Sequence, residues 1–164
     1  MTQEIDIEKY HQLALQKQKE HRKVLANLKK KPPKNLDKIA QEIHDEVFQE
    51  IDCMACANCC KTLGPDFKEA DITRIAKYFK MKLPAFEAEF LQVDEDGDKV
   101  FKSMPCPFLG GDNLCSIYDV RPKACREFPH TDRKKIYQIN HLTIKNTLTC
   151  PAAYLFVEKL KDRL

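Results

Sequence analysis

Four cysteines stand in the eight residues CMACANCC, 53–60. Core packing requires no such spacing, so ordinary buried cysteine does not account for it. Two residues between successive cysteines let thiolates converge on one ion or cluster from a tight turn, and Cys53, Cys56 and Cys59 satisfy that rule twice over. Cys59 and Cys60 are neighbours, and in extended or irregular backbone their side chains are expected to project in different directions. Such a pair serves two centres, or one member ligates while the other packs. This loop therefore constrains the fold more than any other stretch: it asks for a turn built around sulfur and for further ligands elsewhere.

Those further ligands are Cys106, Cys115, Cys125 and Cys150, which complete a set of eight. Cys106 lies in Pro105-Cys106-Pro107, a rigid segment poor in competing amide donors. Gly110-Gly111 then permits a turn that brings Cys115 back. Cys125 follows Arg121-Pro122-Lys123, where proline can open a helix, and Cys150 is placed to cap the final one. Helix N-termini and nearby cations favour thiolate over thiol, which suits metal binding. Arg121, Lys123 and Arg126 are expected either to offset the charge of a thiolate centre or to be surface charges of a short helix.

The redox setting decides between disulfides and metal. The N-terminal stretch MTQEIDIEKY is acidic where a signal peptide would be basic and then apolar. No run approaches the roughly 18 apolar residues of a membrane helix. A cytoplasmic protein is expected, and in a reducing compartment eight cysteines read as metal ligands or redox groups. Zinc accepts four thiolates, and so do 2Fe–2S and 4Fe–4S clusters. The C-x2-C-x2-C opening resembles a ferredoxin run, and Cys150-Pro151 resembles the Cys-Pro that ends one. However, Cys60 follows at once rather than after three residues. The spacing also fails the C-x3-C-x2-C of radical S-adenosylmethionine enzymes. Zinc or iron, two centres of four cysteines or one centre plus a redox pair, all remain open at this level.

Composition shifts sharply near residue 50. Residues 1–50 carry no cysteine and no glycine, whereas 51–164 hold all eight cysteines and all four glycines. The expected division is a helical N-terminal appendage, 1–50, and a cysteine-cluster metal-binding domain, 51–164. The appendage reads as a helical hairpin. Its first helix spans roughly 4–30, with a polar, solvated middle from Gln16 to Lys23, and ends at Lys31-Pro32-Pro33-Lys34. Asn35 can cap a second helix with Leu36, Ile39, Ile43 and Val47 on its face. Lys17 to Lys34 holds eight Lys/Arg and one acid, while Asp37 to Asp52 holds six acids and one lysine. Antiparallel packing with partial neutralisation of these stripes is expected. The same helices are the surface expected to meet a protein partner. Nucleic acid is disfavoured, since the net charge is only +3 and no aromatics interleave the basic run.

In the second half, Asp71–Lys80 reads as a helix and Pro84 can start another through Phe90. Leu91–Val93 and Lys99–Lys102 flank Asp96-Gly97 as a β-hairpin. Asp94, Asp96 and Asp98 resemble the start of a calcium loop, but the twelfth position is Pro105, so a plain turn is expected. Lys135–Ile144 is expected as a further short strand pair, and Pro151–Leu164 as a closing helix. The fold class is α+β: a small, mainly helical cysteine-rich domain with short β-hairpins and an N-terminal helical hairpin.

CMACANCC (53–60), CPFLGGDNLCSIYDVRPKACREFP (106–129) and the distal Cys150 together are similar to the YkgJ-type cysteine-cluster family of zinc- or iron-chelating domains. The resemblance covers most of residues 51–151. One departure is Ala57, where many members carry glycine; it stiffens the loop and removes no ligand. What the resemblance implies is metal chelation by these cysteines, with metal and reaction open. The cluster also resembles that of flagellin lysine methylases, but that activity does not carry over. With only Gly64, Gly97, Gly110 and Gly111, the chain has no glycine-rich turn for a nucleotide-like cofactor.

Function therefore reads as metal binding through Cys53, Cys56, Cys59, Cys60, Cys106, Cys115, Cys125 and Cys150, with zinc or iron, an iron–sulfur cluster included, and a redox or metal-handling role open. The alternative is a zinc-stabilised interaction module without catalysis. No catalytic motif beyond the cysteines is legible. His44 is expected on the polar face of its helix. His130 and His141 are expected to be solvated or hydrogen-bonded, Asp66 to cap a helix, and Asp112 to serve a turn.

Overall fold

A computed structural model describes residues 4–164; Met1–Gln3, at the head of the acidic stretch considered above, lie outside the described residues. The chain divides into two compact units, Met1–Cys56 with Pro129–Leu164, and Ala57–Phe128. The architecture is mainly helical with one small antiparallel sheet, as the sequence led us to expect. Among the described residues, no helix is long and apolar enough to cross a membrane.

The first unit is all helical. Helix α1 (Ile7–Lys30) begins at Asp6, whose carboxylate accepts the Lys9 amide at 2.9 Å, and stops before Pro32-Pro33. Helix α2 (Leu36–Glu50) buries Leu36, Ala40, Ile43 and Val47, with Asn35 at its N-cap position but no side-chain capping bond. A 3-10 turn (Ile136–Ile139) leads into α8 (Asn140–Thr147), and α9 (Pro151–Arg163) closes the chain. Leu25, Leu28, Ile43, Val47, Phe156 and Leu160 anchor one shared core. Each such fully buried side chain contributes about 1.5–3 kcal/mol.

Three expectations change here. The middle of α1 is not wholly solvated: His21 is fully buried, its Nε2 lying 2.7 Å from Glu158 Oε1. The buried stripe is Ala14, His21, Leu25 and Leu28, so His21 occupies a core position of the helix repeat despite its polarity. Second, three acids of α2, Glu42, Glu46 and Glu50, are met by α9. Lys159 pairs with Glu50 at 2.9 Å and Glu46 at 3.8 Å, while Arg163 pairs with Glu42 and Glu46. Third, 135–144 forms the 3-10 turn and the start of α8 rather than strands. Its β-branched residues favour strand locally, but Ile136 and Ile144 reach the core from helical backbone, and the Thr143 hydroxyl donates to the Ile139 carbonyl at 3.2 Å.

In the second unit, a two-residue strand β1 (Asp66–Phe67) precedes α5 (Glu69–Tyr78) and α6 (Leu83–Phe90). Strands β2 (Leu91–Val93) and β3 (Lys99–Phe101) form the expected hairpin, and the sheet order is β1-β3-β2, all antiparallel. Gly97, at φ +85°, makes the turn, and the Asp94 carboxylate accepts the amides of Asp96 and Asp98. Asp66 lies in β1 and pairs with Lys68 at 2.7 Å, so it is not a helix cap. Ile72, Ile75, Phe86 and Phe101 form a second core, with Phe108 set among the rings of Phe79, Phe86, Phe90 and Phe101.

Candidate metal centre

CMACANCC forms two single helical turns, α3 (Cys53–Cys56) and α4 (Asn58–Thr62). Asp52 starts the first: its carboxylate accepts the Met54 amide and its carbonyl the Cys56 amide, at 2.9 and 3.1 Å. Ala57 precedes the second in left-handed backbone at φ +48°, a conformation that glycine adopts without steric cost. The departure from glycine at this position thus falls on the residue where glycine fits best.

Cys59 and Cys60 differ from expectation. The neighbouring Cys59 thiol is the main reason the Cys60 thiol is lowered to about 7, with burial opposing and Lys61 helping. Both residues belong to the helical turn α4, which does not impose the alternation of extended backbone.

The cysteines fall into two sets. In the first unit, Cys53 and Cys56 share one turn, and Cys150 sits at the N-cap of α9. Burial pushes the Cys150 thiol up to about 12; the charges of Cys53 and Cys56 act in the same direction, and the amides of Ala153 and Ala152 oppose them. These three thiols are electrostatic neighbours.

In the second unit, the set is Cys60, Cys106, Cys115 and Cys125. The Cys106 amide donates to the Cys60 carbonyl at 2.8 Å. A tight reversal then returns the chain: Gly110 donates to the Leu114 carbonyl at 2.8 Å, and Leu109 and Cys115 form an antiparallel bridge. Asp112 serves this turn, accepting the Leu114 amide at 3.0 Å, as expected. Cys125 lies on α7 (Lys123–Glu127), with Pro122 at its N-cap. Burial pushes Cys106 up to about 11, reinforced by the charges of Cys60 and Cys115. Cys115 is raised by burial and by Cys60, with the Ile117 amide and Arg121 opposing. The Cys125 side chain is exposed, and the like charges of Cys60, Cys106 and Cys115 raise its thiol.

A shared local device accompanies three of these sulfurs. Downstream amides oppose the effect of burial at each of them: those of Phe108 and Leu109 at Cys106, that of Ile117 at Cys115, and those of Ala153 and Ala152 at Cys150. Pro105-Cys106-Pro107 itself carries one amide, that of Cys106, and the Leu109 amide closes the turn by donating to the Cys106 carbonyl at 3.1 Å. Cys106-Pro107 and Cys150-Pro151 each put a residue without an amide directly after the cysteine. Amide donation favours thiolate, the form that binds metal.

The donor set fits a soft cation. Neighbouring thiols that raise one another's pKa resist joint ionisation, and a bound cation reverses that penalty, since ligation and deprotonation are coupled. Among the described residues, no group of three or more His, Cys, Asp and Glu side chains is already arranged to hold an ion. The thiols are thus neighbours in charge rather than a preformed coordination shell. Arg121 is the expected cation that acts on this set, whereas Lys123 pairs with Glu127 at 3.7 Å. Of the histidines, His44 shares a 2.8 Å hydrogen bond with Thr131, and His141 is exposed.

A small helical α+β fold carrying paired thiol sets defines a cysteine-cluster protein. Residues 52–151 match the CxxCxxCC family, described as a "Putative zinc- or iron-chelating domain". The match spans more than half of the chain, and the chain belongs to that family. Comparison with curated proteins and with solved structures returns no match.

Proposed function

We propose that this protein chelates zinc or iron through two separate thiolate sets, Cys60, Cys106, Cys115 and Cys125 in one unit and Cys53, Cys56 and Cys150 in the other. The observation that carries this reading is the backbone pairing that brings the second-unit cysteines together: the Cys106 amide donates to the Cys60 carbonyl at 2.8 Å, and the Leu109–Cys115 bridge returns Cys115 to the same turn. A bound metal would supply there the positive charge that lets neighbouring thiols ionise together. The protein's own contribution is to place Arg121 near Cys115 and Cys125 and to hold the ligands on turns anchored by Phe108 and Ile117.

A second reading, a redox or metal-handling role, is favoured by the adjacent Cys59–Cys60 pair in one helical turn. A thiol lowered to about 7 beside a second thiol is suited to exchange chemistry. Anaerobic purification with metal analysis and a visible spectrum tests both. Brown protein with iron and sulfide supports a cluster with electron or metal transfer, and stoichiometric zinc in colourless protein supports the structural module. A folded, metal-free protein with every thiol titratable would contradict chelation.

A further inference from the structure

Helix α7 carries Cys125 yet buries none of its five residues, so apolar packing does not fix where that sulfur stands. A helix this short is also not stable by itself. Its position comes from a buried polar clamp on α5, a helix held firmly by Ile72 and Ile75, both fully buried. The Asp71 side chain is 3% exposed. It accepts the Lys68 amide at 3.0 Å, the Arg74 guanidinium at 2.8 Å, and the Lys123 amide, the first of α7, at 3.1 Å. Arg74 in turn donates through Nε to the Val120 carbonyl at 3.1 Å and through Nη2, which also meets Asp71, to the Arg121 carbonyl at 2.8 Å. One carboxylate and one guanidinium therefore bind three backbone groups within residues 120–123, just before Cys125, and the same segment follows Cys115.

We infer that Asp71 and Arg74 are positioning residues of the four-thiolate set, holding residues 120–123 so that Cys125 meets Cys60, Cys106 and Cys115. This rests on the chelation reading above. The carboxylate suits the task because it accepts several donors at once in fixed directions, and the planar guanidinium can grip two carbonyls while remaining paired with the carboxylate. Loss of either partner leaves buried polar groups unsatisfied and frees the ligand turn without touching any sulfur.

The test uses the full chain, reduced and loaded anaerobically with Co²⁺, whose sulfur-to-metal charge-transfer absorption reports thiolate ligation. Wild type, Asp71→Asn, Arg74→Lys, Cys125→Ser and the double variants with Cys125→Ser are compared. Supporting outcomes are a loss of Co²⁺ affinity of about 10- to 100-fold in either clamp variant, as for other residues that orient metal ligands, and faster alkylation of Cys125 in the loaded protein. The double variants should bind no more weakly than Cys125→Ser alone, because the clamp acts through that ligand. If Cys125→Ser weakens binding but the clamp variants do not, or if the two losses add in full, the positioning role is overturned while chelation stands. If wild type shows no charge-transfer band, both fall. Arg74→Lys keeps the buried charge pair, so it remains informative where Asp71→Asn lowers stability.

Discussion

The backbone amide of Cys106 donates to the carbonyl of Cys60 at 2.8 Å. That bond joins the end of the first cysteine motif to the start of the second and makes Cys60 the member of CMACANCC that belongs with the distal ligands. Phe108, two residues further, lies among the rings of Phe79, Phe86, Phe90 and Phe101 and, with Ile117, ties the cysteine turn to the core of its unit.

Phe108→Ala should therefore cost about 3–5 kcal/mol of stability, the range for a large buried ring truncated to methyl. It should also loosen the turn carrying Cys106 and Cys115. Urea unfolding of the metal-free protein measures the first effect, and the rate of Cys106 alkylation the second. A change in neither would show that the turn is held by its own hydrogen bonds.

Stability of the metal-free protein should fall in alkali. Burial pushes the Cys106 and Cys150 thiols up to about 11 and about 12 in the folded chain, above the roughly 8.5 of an unfolded thiol. A raised folded pKa means the folded state holds its proton longer. The associated stability is fully present below about 8.5 and is lost as pH rises toward the folded values. Cys60, lowered to about 7, acts in the opposite sense as pH rises from about 7 to the unfolded thiol value. Raised thiols outnumber it, so the urea midpoint of reduced, chelator-treated protein should drop between about pH 8 and about pH 10.5. Metal-loaded protein, whose thiols are already ionised, should not show this drop.

Ala57→Gly should leave metal binding intact and stabilise the turn. Left-handed backbone costs a non-glycine residue about 1–2 kcal/mol, and the greater freedom of glycine in the unfolded chain returns roughly 0.5–1 kcal/mol of that. A net gain of about 0–1.5 kcal/mol is expected from paired denaturation curves. A clear loss would show that the Ala57 methyl, on a residue 4% exposed, packs more than it strains.

Much of this was legible in the sequence, for identifiable reasons. The hairpin around Asp96-Gly97 and the closing helix after Cys150-Pro151 are fixed by local chemistry, a left-handed glycine and a proline at a helix start, and both form as read. His21 escaped because its burial depends on Glu158, which is 137 residues away. The 135–144 segment escaped because tertiary burial of Ile136 and Ile144 outweighs β-branched preference. The eight thiols were plain in the sequence, but their partition was not. Spacing groups Cys59 with Cys53 and Cys56, whereas the backbone bond from Cys106 to Cys60 joins Cys60 to the second cysteine motif, a pairing between residues 46 apart that no local spacing announces. The Asp71–Arg74 clamp carried no motif at all, since its partners are backbone groups.

The most direct test of two separate thiolate sets is the metal content of Cys125→Ser, Cys150→Ser and the double variant, each purified anaerobically beside wild type. Each single substitution should remove part of the bound metal and spare the rest, and the double variant should lose nearly all of it. Complete loss in either single variant, or no loss in both, would contradict the partition.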